Sequence, residues 1–155
     1  MESIQVLESW DIHNRINLYL LDSIDAAHLN STLSSKGRNV AEQFAHLHNV
    51  RLMWLKVSAP DLYQGLNKIE KDDALDKKLL SSSITKSAKA TRTLLEKAFA
   101  SDGRVKNFKP HAAAFLAYLI SHESHHRGQI LLALKQSGHA VDKKIQYGIW
   151  EWGVR

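Results

Sequence analysis

The chain has 155 residues, of which 44% are apolar and 24% charged, values that fit one globular domain spanning 1–155 and exclude a disordered chain or a low-complexity fibre. A domain of this length buries about 68–70% of its unfolded surface, so it needs no disulfide or metal merely to hold together. Cysteine is absent, which rules out a disulfide framework, a thiolate zinc site and a cysteine nucleophile.

Two prolines and seven glycines punctuate long stretches of helical periodicity. In the first, Val6, Trp10, His13, Asn17, Leu20 and Ile24 recur at steps of three and four, predicting a helix of about seven turns that ends before the polar loop 30–37. A second helix starts at Asn39, a good N-cap, with Glu42 placed three residues later as the partner of a capping box. It runs through Phe44, Leu47, Val50 and Trp54 to Pro60. The charged stretch 61–81 reads as a long connection with about one helical turn. A third helix is predicted over 83–100, closed by Asp102-Gly103. The fourth opens with Pro110 in its first turn and stops at Gly138. The aromatic tail Tyr147-Gly148-Ile149-Trp150-Glu151-Trp152 is expected to pack across one end of the molecule. No segment alternates with period two. Four long helices and one long crossover make an all-α four-helix bundle the natural architecture.

The net charge of +5 raises nucleic acid as a partner, but the basic residues are scattered in pairs such as Lys77-Lys78 and Lys143-Lys144. No compact stripe mixes them with stacking aromatics, so specific nucleic-acid binding is not expected. The first fifteen residues carry charges and no apolar run of signal-peptide length. No window reaches the run of about 18 apolar residues that a membrane span requires. A soluble cytoplasmic protein is the expectation.

Nine histidines are the informative excess, because imidazole is the commonest metal ligand in proteins. The fourth helix carries His122-Glu123-Ser124-His125-His126-Arg127-Gly128-Gln129-Ile130. Phe115, Leu119, His122, His126, Ile130 and Ala133 are spaced by three or four, which places both His122 and His126 on the inward stripe. A pair at i, i+4 lies about 5–6 Å apart at Cβ. Both rings can then reach one ion at the usual Zn–N distance of about 2.0–2.1 Å. A hydrogen-bonded pair of core histidines is the equal alternative from this helix alone. A third ligand has to come from elsewhere. The second helix offers His46 and His48, about 160° apart on a helical wheel. His46 shares a side with Val50, Met53 and Val57, and His48 with Ala41, Leu52 and Leu55, so periodicity does not choose between them.

Glu42-Gln43-Phe44-Ala45-His46-Leu47-His48-Asn49-Val50-Arg51 with Trp54, followed by His122-x-x-x-His126-Arg127-Gly128-Gln129-Ile130, resembles the DinB/YfiT-like family over nearly the whole chain. The resemblance implies an up-down-down-up bundle that binds a divalent metal, zinc or nickel, through three histidines. Carried over to this chain, the ligands are His46, His122 and His126. It is the resemblance that prefers His46 to His48.

Three imidazoles leave a coordination position open to water or substrate, the pattern of a catalytic rather than a structural site. Some members of the wider family transfer low-molecular-weight thiols, so the resemblance makes thiol activation and transfer to an electrophile the leading chemistry, with hydrolysis as the related one. A small-molecule substrate, a thiol, and a homodimeric assembly are the expected partners. The alternative function is a metal-binding, stress-related interaction protein without turnover. Glu123, the nearest acid on the helix, is the candidate to accept or relay a proton, against a plainer ion pair with Arg127. His13 and Asn17 face inward, either lining the cavity or forming a satisfied polar core pair. His28, His111 and His139 are expected at the surface. Trp10 and Trp54 are assigned to the core. His125 is expected at the surface or supporting the ligands. Gly128, costing about 1 kcal/mol of helix propensity, is explained by close helix approach. Ser124 and the run Ser81-Ser82-Ser83 lack a base partner by spacing, so a serine hydrolase is not supported.

Overall fold

The computed structural model describes residues 2–155. Four long helices dominate it: α1 (Glu2–Ser23), α2 (Val40–Ser58), α4 (Lys77–Phe99) and α5 (Ala112–Gln136). Two short helices, α3 (Pro60–Tyr63) and α6 (Lys143–Gly148), lie after α2 and near the C-terminus. The fold is all-α. No strand forms among the described residues, where the nearest approach to β structure is an isolated antiparallel bridge between Arg104 and His111.

Local chemistry sets the helix starts. The Asn39 side chain accepts from the Glu42 amide while the Glu42 carboxylate accepts from the Asn39 amide, so α2 opens with the capping box its sequence predicts. Asp76 accepts from the Leu79 amide and starts α4 at Lys77, six residues before the expected position. The run Ser81-Ser82-Ser83 hides this start, because serine favours caps and turns over helix interiors. It is nevertheless drawn into the helix by the buried stripe Leu80, Ile84, Ser87, Thr91 and Leu95. Pro110 lies outside α5, whose N-cap is His111, with Nδ1 accepting from the Ala114 amide. At the far end, Gly138 takes a positive φ of 78° just past the helix, the left-handed position glycine fills without steric cost. The first helix is also shorter than expected: it ends at Ser23 and is followed by a separate 3-10 turn at 26–28, capped by Asp25.

The tail only partly covers the molecule. Ile149 is buried and Trp152 packs against the core, but Tyr147 and Trp150 remain 69% and 75% exposed. The expectation that the whole aromatic tail packs is therefore corrected: Tyr147 at the end of α6 and Trp150 just beyond it face solvent.

The core divides into two apolar clusters. One contains Ile16, Leu20, Phe44, Leu47, Leu80, Ile84 and Ile130. The other contains Leu7, Trp10, Leu55, Ala88, Leu95, Phe115 and Leu119. All four long helices contribute to both, and between them each inserts polar side chains: His13, Asn14 and Asn17 from α1, His48 and Arg51 from α2, Ser87 and Thr91 from α4, Glu123, His126 and Arg127 from α5. Full burial of a large apolar side chain contributes about 1.5–3 kcal/mol. The two clusters therefore hold the helices firmly enough to keep a polar layer at mid-height.

Candidate metal centre

The polar layer has a closed part and an open part. The closed part centres on Glu123, which is fully buried. Arg51 grips its carboxylate with two donors, Nε to Oε1 at 2.6 Å and Nη2 to Oε2 at 2.7 Å. Asn17 donates to Oε2 at 2.8 Å, and His13 Nε2 lies 2.7 Å from the same oxygen. Arg127 donates to Asn17 Oδ1 at 2.6 Å and to His13 Nδ1 at 3.2 Å. That contact fixes the His13 tautomer, with Nδ1 bare and the Nε2 proton given to Glu123. Burial lowers the His13 pKa and keeps the ring neutral. Burial alone would push the Glu123 carboxyl up, but the Arg51 charge and the hydrogen bonds from Arg51 and His13 more than offset it, holding the carboxyl well below the usual carboxylate range.

The contacts of Glu123, His13 and Asn17 differ from those local spacing offers. Glu123 pairs with Arg51 across the helices instead of with Arg127 on its own helix, because His13 and Asn17 stand between Glu123 and Arg127 and bond to both. His13 and Asn17 are themselves fully buried members of this network.

The open part is made of His46 from α2 with His122 and His126 from α5. The ring centroids are 5.2 Å apart for His46 and His122, 4.6 Å for His46 and His126, and 4.6 Å for His122 and His126. One nitrogen from each ring lies within 4.8 Å of the other two, a grouping that could hold a metal ion. His46 and His122 are half-buried and His126 is buried. Burial lowers the pKa of all three: His46 and His126 go to about 4, with the nearby Arg38 charge and the neighbouring imidazoles adding to the effect. All three rings are therefore neutral at pH 7, as metal ligands must be.

The residues around the triad fit such an ion. His126 Nδ1–H donates to Gln43 Oε1 at 2.6 Å, and the Gln43 amide donates in turn to Gln129 Oε1 at 3.1 Å. With its proton fixed on Nδ1, His126 aims a bare Nε2 at His122 Nε2, only 3.1 Å away. His122 Nδ1 is buried without a hydrogen-bond partner. Converging imidazole nitrogens, one of them oriented by an amide behind it, form the donor set divalent zinc and nickel accept. Without an ion, a His122 proton on Nε2 can be donated to His126 Nε2 across this 3.1 Å contact; an ion would take the place of that proton.

The other histidines lie apart from this cluster. His48 is buried on the other side of α2, with Nε2 2.8 Å from the Asn67 carbonyl oxygen, and so fastens the connection after α3. His125 is exposed, its Nε2 accepting from Gln129 at 3.1 Å. His28 and His139 stack with centroids 3.7 Å apart, and His111 caps α5.

Trp10 is fully buried, donating to the Ala88 carbonyl and lying 4.8 Å from the Arg51 guanidinium carbon. Trp54 is only partly buried. It joins Phe108, Phe115 and Tyr118 in an aromatic group that runs to the cluster, where Tyr118 stacks beside His122. Gly128 has open space where a Cβ would be, so close helix approach does not account for it.

Sequence reasoning gave no role to Arg51 or Gln43. Both were signalled by spacing: Arg51 continues the stripe Phe44, Leu47 and Leu55 at steps of three and four, and Gln43 lies three residues before His46 on the same side of α2.

Two of the four long helices bring three neutral histidines to one half-open point, which defines an all-α protein with a grouping that could hold a metal ion. The DinB family model matches residues 1–147 of the chain. The chain is a member of the DinB family. No curated protein and no solved structure is significantly similar to it. No helix among the described residues is long and apolar enough to cross a membrane.

Proposed function

We propose that this DinB-family protein is a divalent-metal-dependent enzyme that transfers a low-molecular-weight thiol to an electrophile, with His46, His122 and His126 as the ligands of zinc or nickel. The observation that carries the reading is the convergence of one nitrogen from each of these rings within 4.8 Å. Such an ion supplies positive charge that favours a thiolate over a thiol at neutral pH.

The chain's own residues do the rest. Gln43 fixes the His126 proton on Nδ1 and keeps Nε2 available. The half-exposed edge of His46 and His122 admits a small molecule and lets the thiol proton pass to solvent. Tyr118 and Trp54 offer an aromatic wall beside His122 for the apolar part of a substrate. The sulfur forms a bond to the electrophilic carbon, and the leaving group departs with its electron pair. Glu123 already has four donors on its two oxygens. That engagement supports a role in anchoring α5 rather than in relaying the proton.

The order in which the helices cross the two apolar clusters supports an up-down-down-up arrangement: α1 and α5 run from the Trp10 cluster to the Phe44 cluster, α2 and α4 the reverse. Polar side chains shared by all four helices support treating 1–155 as one domain. A cytoplasmic homodimer completes the proposal.

Cobalt-substituted protein titrated with a panel of small thiols tests it. The visible spectrum is expected to change saturably at neutral pH, and thioether formation with an added electrophile should exceed background and vanish in His126→Ala. If no thiol changes the spectrum or the rate, thiol transfer fails, and metal binding without turnover is the better reading.

A further inference from the structure

Beside His46 the fold builds a second feature, a cavity of about 470 Å³ between the start of α2 and the connection that follows α3. Its wall is fastened in place. Asn49 exchanges two hydrogen bonds with Ile69, its Nδ2 donating to the carbonyl and its Oδ1 accepting from the amide, both at 2.9 Å. His48 holds Asn67 one step earlier. These bonds hold the buried Ile69 in the cavity wall, and Lys68 and Lys71 line the same cavity as Arg38 and His46.

The charges in this cavity do not cancel. Three cations, Arg38, Lys68 and Lys71, face two carboxylates, Glu42 and Glu70. Glu42 already accepts from the Asn39 amide in the capping box, and Glu70 takes the Lys68 ammonium at 3.2 Å. Arg38 and Lys71 have no carboxylate partner among the described residues. The Arg38 charge is felt at His46, His122 and His126 alike. An arginine presents a planar fork that matches a carboxylate, and a lysine opposite it adds a second charge.

We infer that the cavity bounded by Arg38, Lys68, Lys71 and His46 binds the carboxylate of a small anionic substrate, with Arg38 and Lys71 as its specificity-determining residues. The metal-centre reading supplies the complement: a ligand seated by its carboxylate here has its other end beside the histidine cluster, so a carboxylate-bearing thiol is the substrate class selected. As a statement of substrate class this rests on the function proposed above, whereas carboxylate binding by the cavity does not depend on a metal.

The test uses 3-mercaptopropionate, its methyl ester and propionate, titrated at physiological ionic strength into the metal-free and the zinc-supplemented protein. Backbone amide resonances of Gly37, Arg38, Lys68 and Lys71 provide the readout. In the metal-free protein both carboxylates are expected to shift these amides saturably and the ester to leave them in place, and propionate should keep its shifts when zinc is added. The double variant Arg38→Gln/Lys71→Gln, confined to exposed side chains, should weaken carboxylate binding at least about tenfold, the effect of losing a charge-assisted contact. His126→Ala should keep the shifts while losing zinc. Absence of saturable shifts, equal shifts from the ester, or an unchanged double variant would overturn the inference. Carboxylate binding in a protein that takes up no zinc would instead uphold the cavity and remove the metal-centre reading.

Discussion

Two groups of polar side chains share α5, one centred on Glu123 and the other on His122 and His126. In the first, the Glu123 charge is matched: Arg51 clasps the carboxylate, and His13 and Asn17 bridge it by hydrogen bonds to Arg127. In the second, half-open to solvent, three neutral imidazoles converge, His126 Nε2 lies 3.1 Å from His122 Nε2, and His122 Nδ1 has no partner. Buried polar groups that satisfy each other fix how helices pack, whereas three neutral imidazoles gathered at a half-open edge can give up their mutual contact to something else that binds. Adjacent residues of one helix, His122 and Glu123, fall on opposite sides of that division.

Removing Arg51 gives the sharpest way to break the contrast. Arg51→Ala strands the Glu123 charge in the core and should cost about 3–5 kcal/mol in chemical denaturation. In the metal-free protein, His46→Ala should cost no more than about 1 kcal/mol. Equal costs would erase the distinction between the two groups.

Acid separates them as well. Because the Glu123 pKa is depressed in the folded state, its contribution is fully present above its ordinary value of 4.5 and is lost as pH falls below it. Glu123→Gln should flatten the stability slope in that acid range. Metal affinity follows the histidines instead. With all three rings lowered below the ordinary imidazole value, His46 and His126 to about 4, zinc affinity should persist further into acid than it would for free imidazoles and be lost as pH falls toward about 4, where protons compete. A titration showing affinity already lost near pH 6.5 would place these rings in a more ordinary environment.

Smaller effects refine the boundary. Gln43→Leu removes the acceptor behind His126 and should weaken zinc binding by about tenfold, the usual range for a residue that orients a ligand. Gly128→Ala introduces a methyl into open space on a helix. It should raise the thermal midpoint, with a stabilisation of about 0.5–1 kcal/mol and no change in metal affinity.

Much of this was legible in the residues. Helical spacing gave the four long helices, the capping box gave the start of α2, and the i, i+4 pair put His122 and His126 together. Three features were hidden for physical reasons. The start of α4 lay behind a serine run whose local preference is overridden by burial of Leu80 and Ile84. The ion pair of Glu123 was not readable because Arg51 is distant in sequence, and local spacing offered Arg127 first. Periodicity left His46 and His48 equivalent, since both sides of α2 carry apolar residues. What separates them is the connection after α3, which engages His48 through Asn67 and leaves His46 facing α5.

A zinc titration of the untagged protein and of four single variants, His46→Ala, His48→Ala, His122→Ala and His126→Ala, tests the central claim most directly. The account predicts one equivalent bound by the unsubstituted protein and by His48→Ala, with binding lost in each of the other three. Uptake below about a tenth of an equivalent by the unsubstituted protein at neutral pH, or binding that survives in His46→Ala and disappears in His48→Ala, would contradict it.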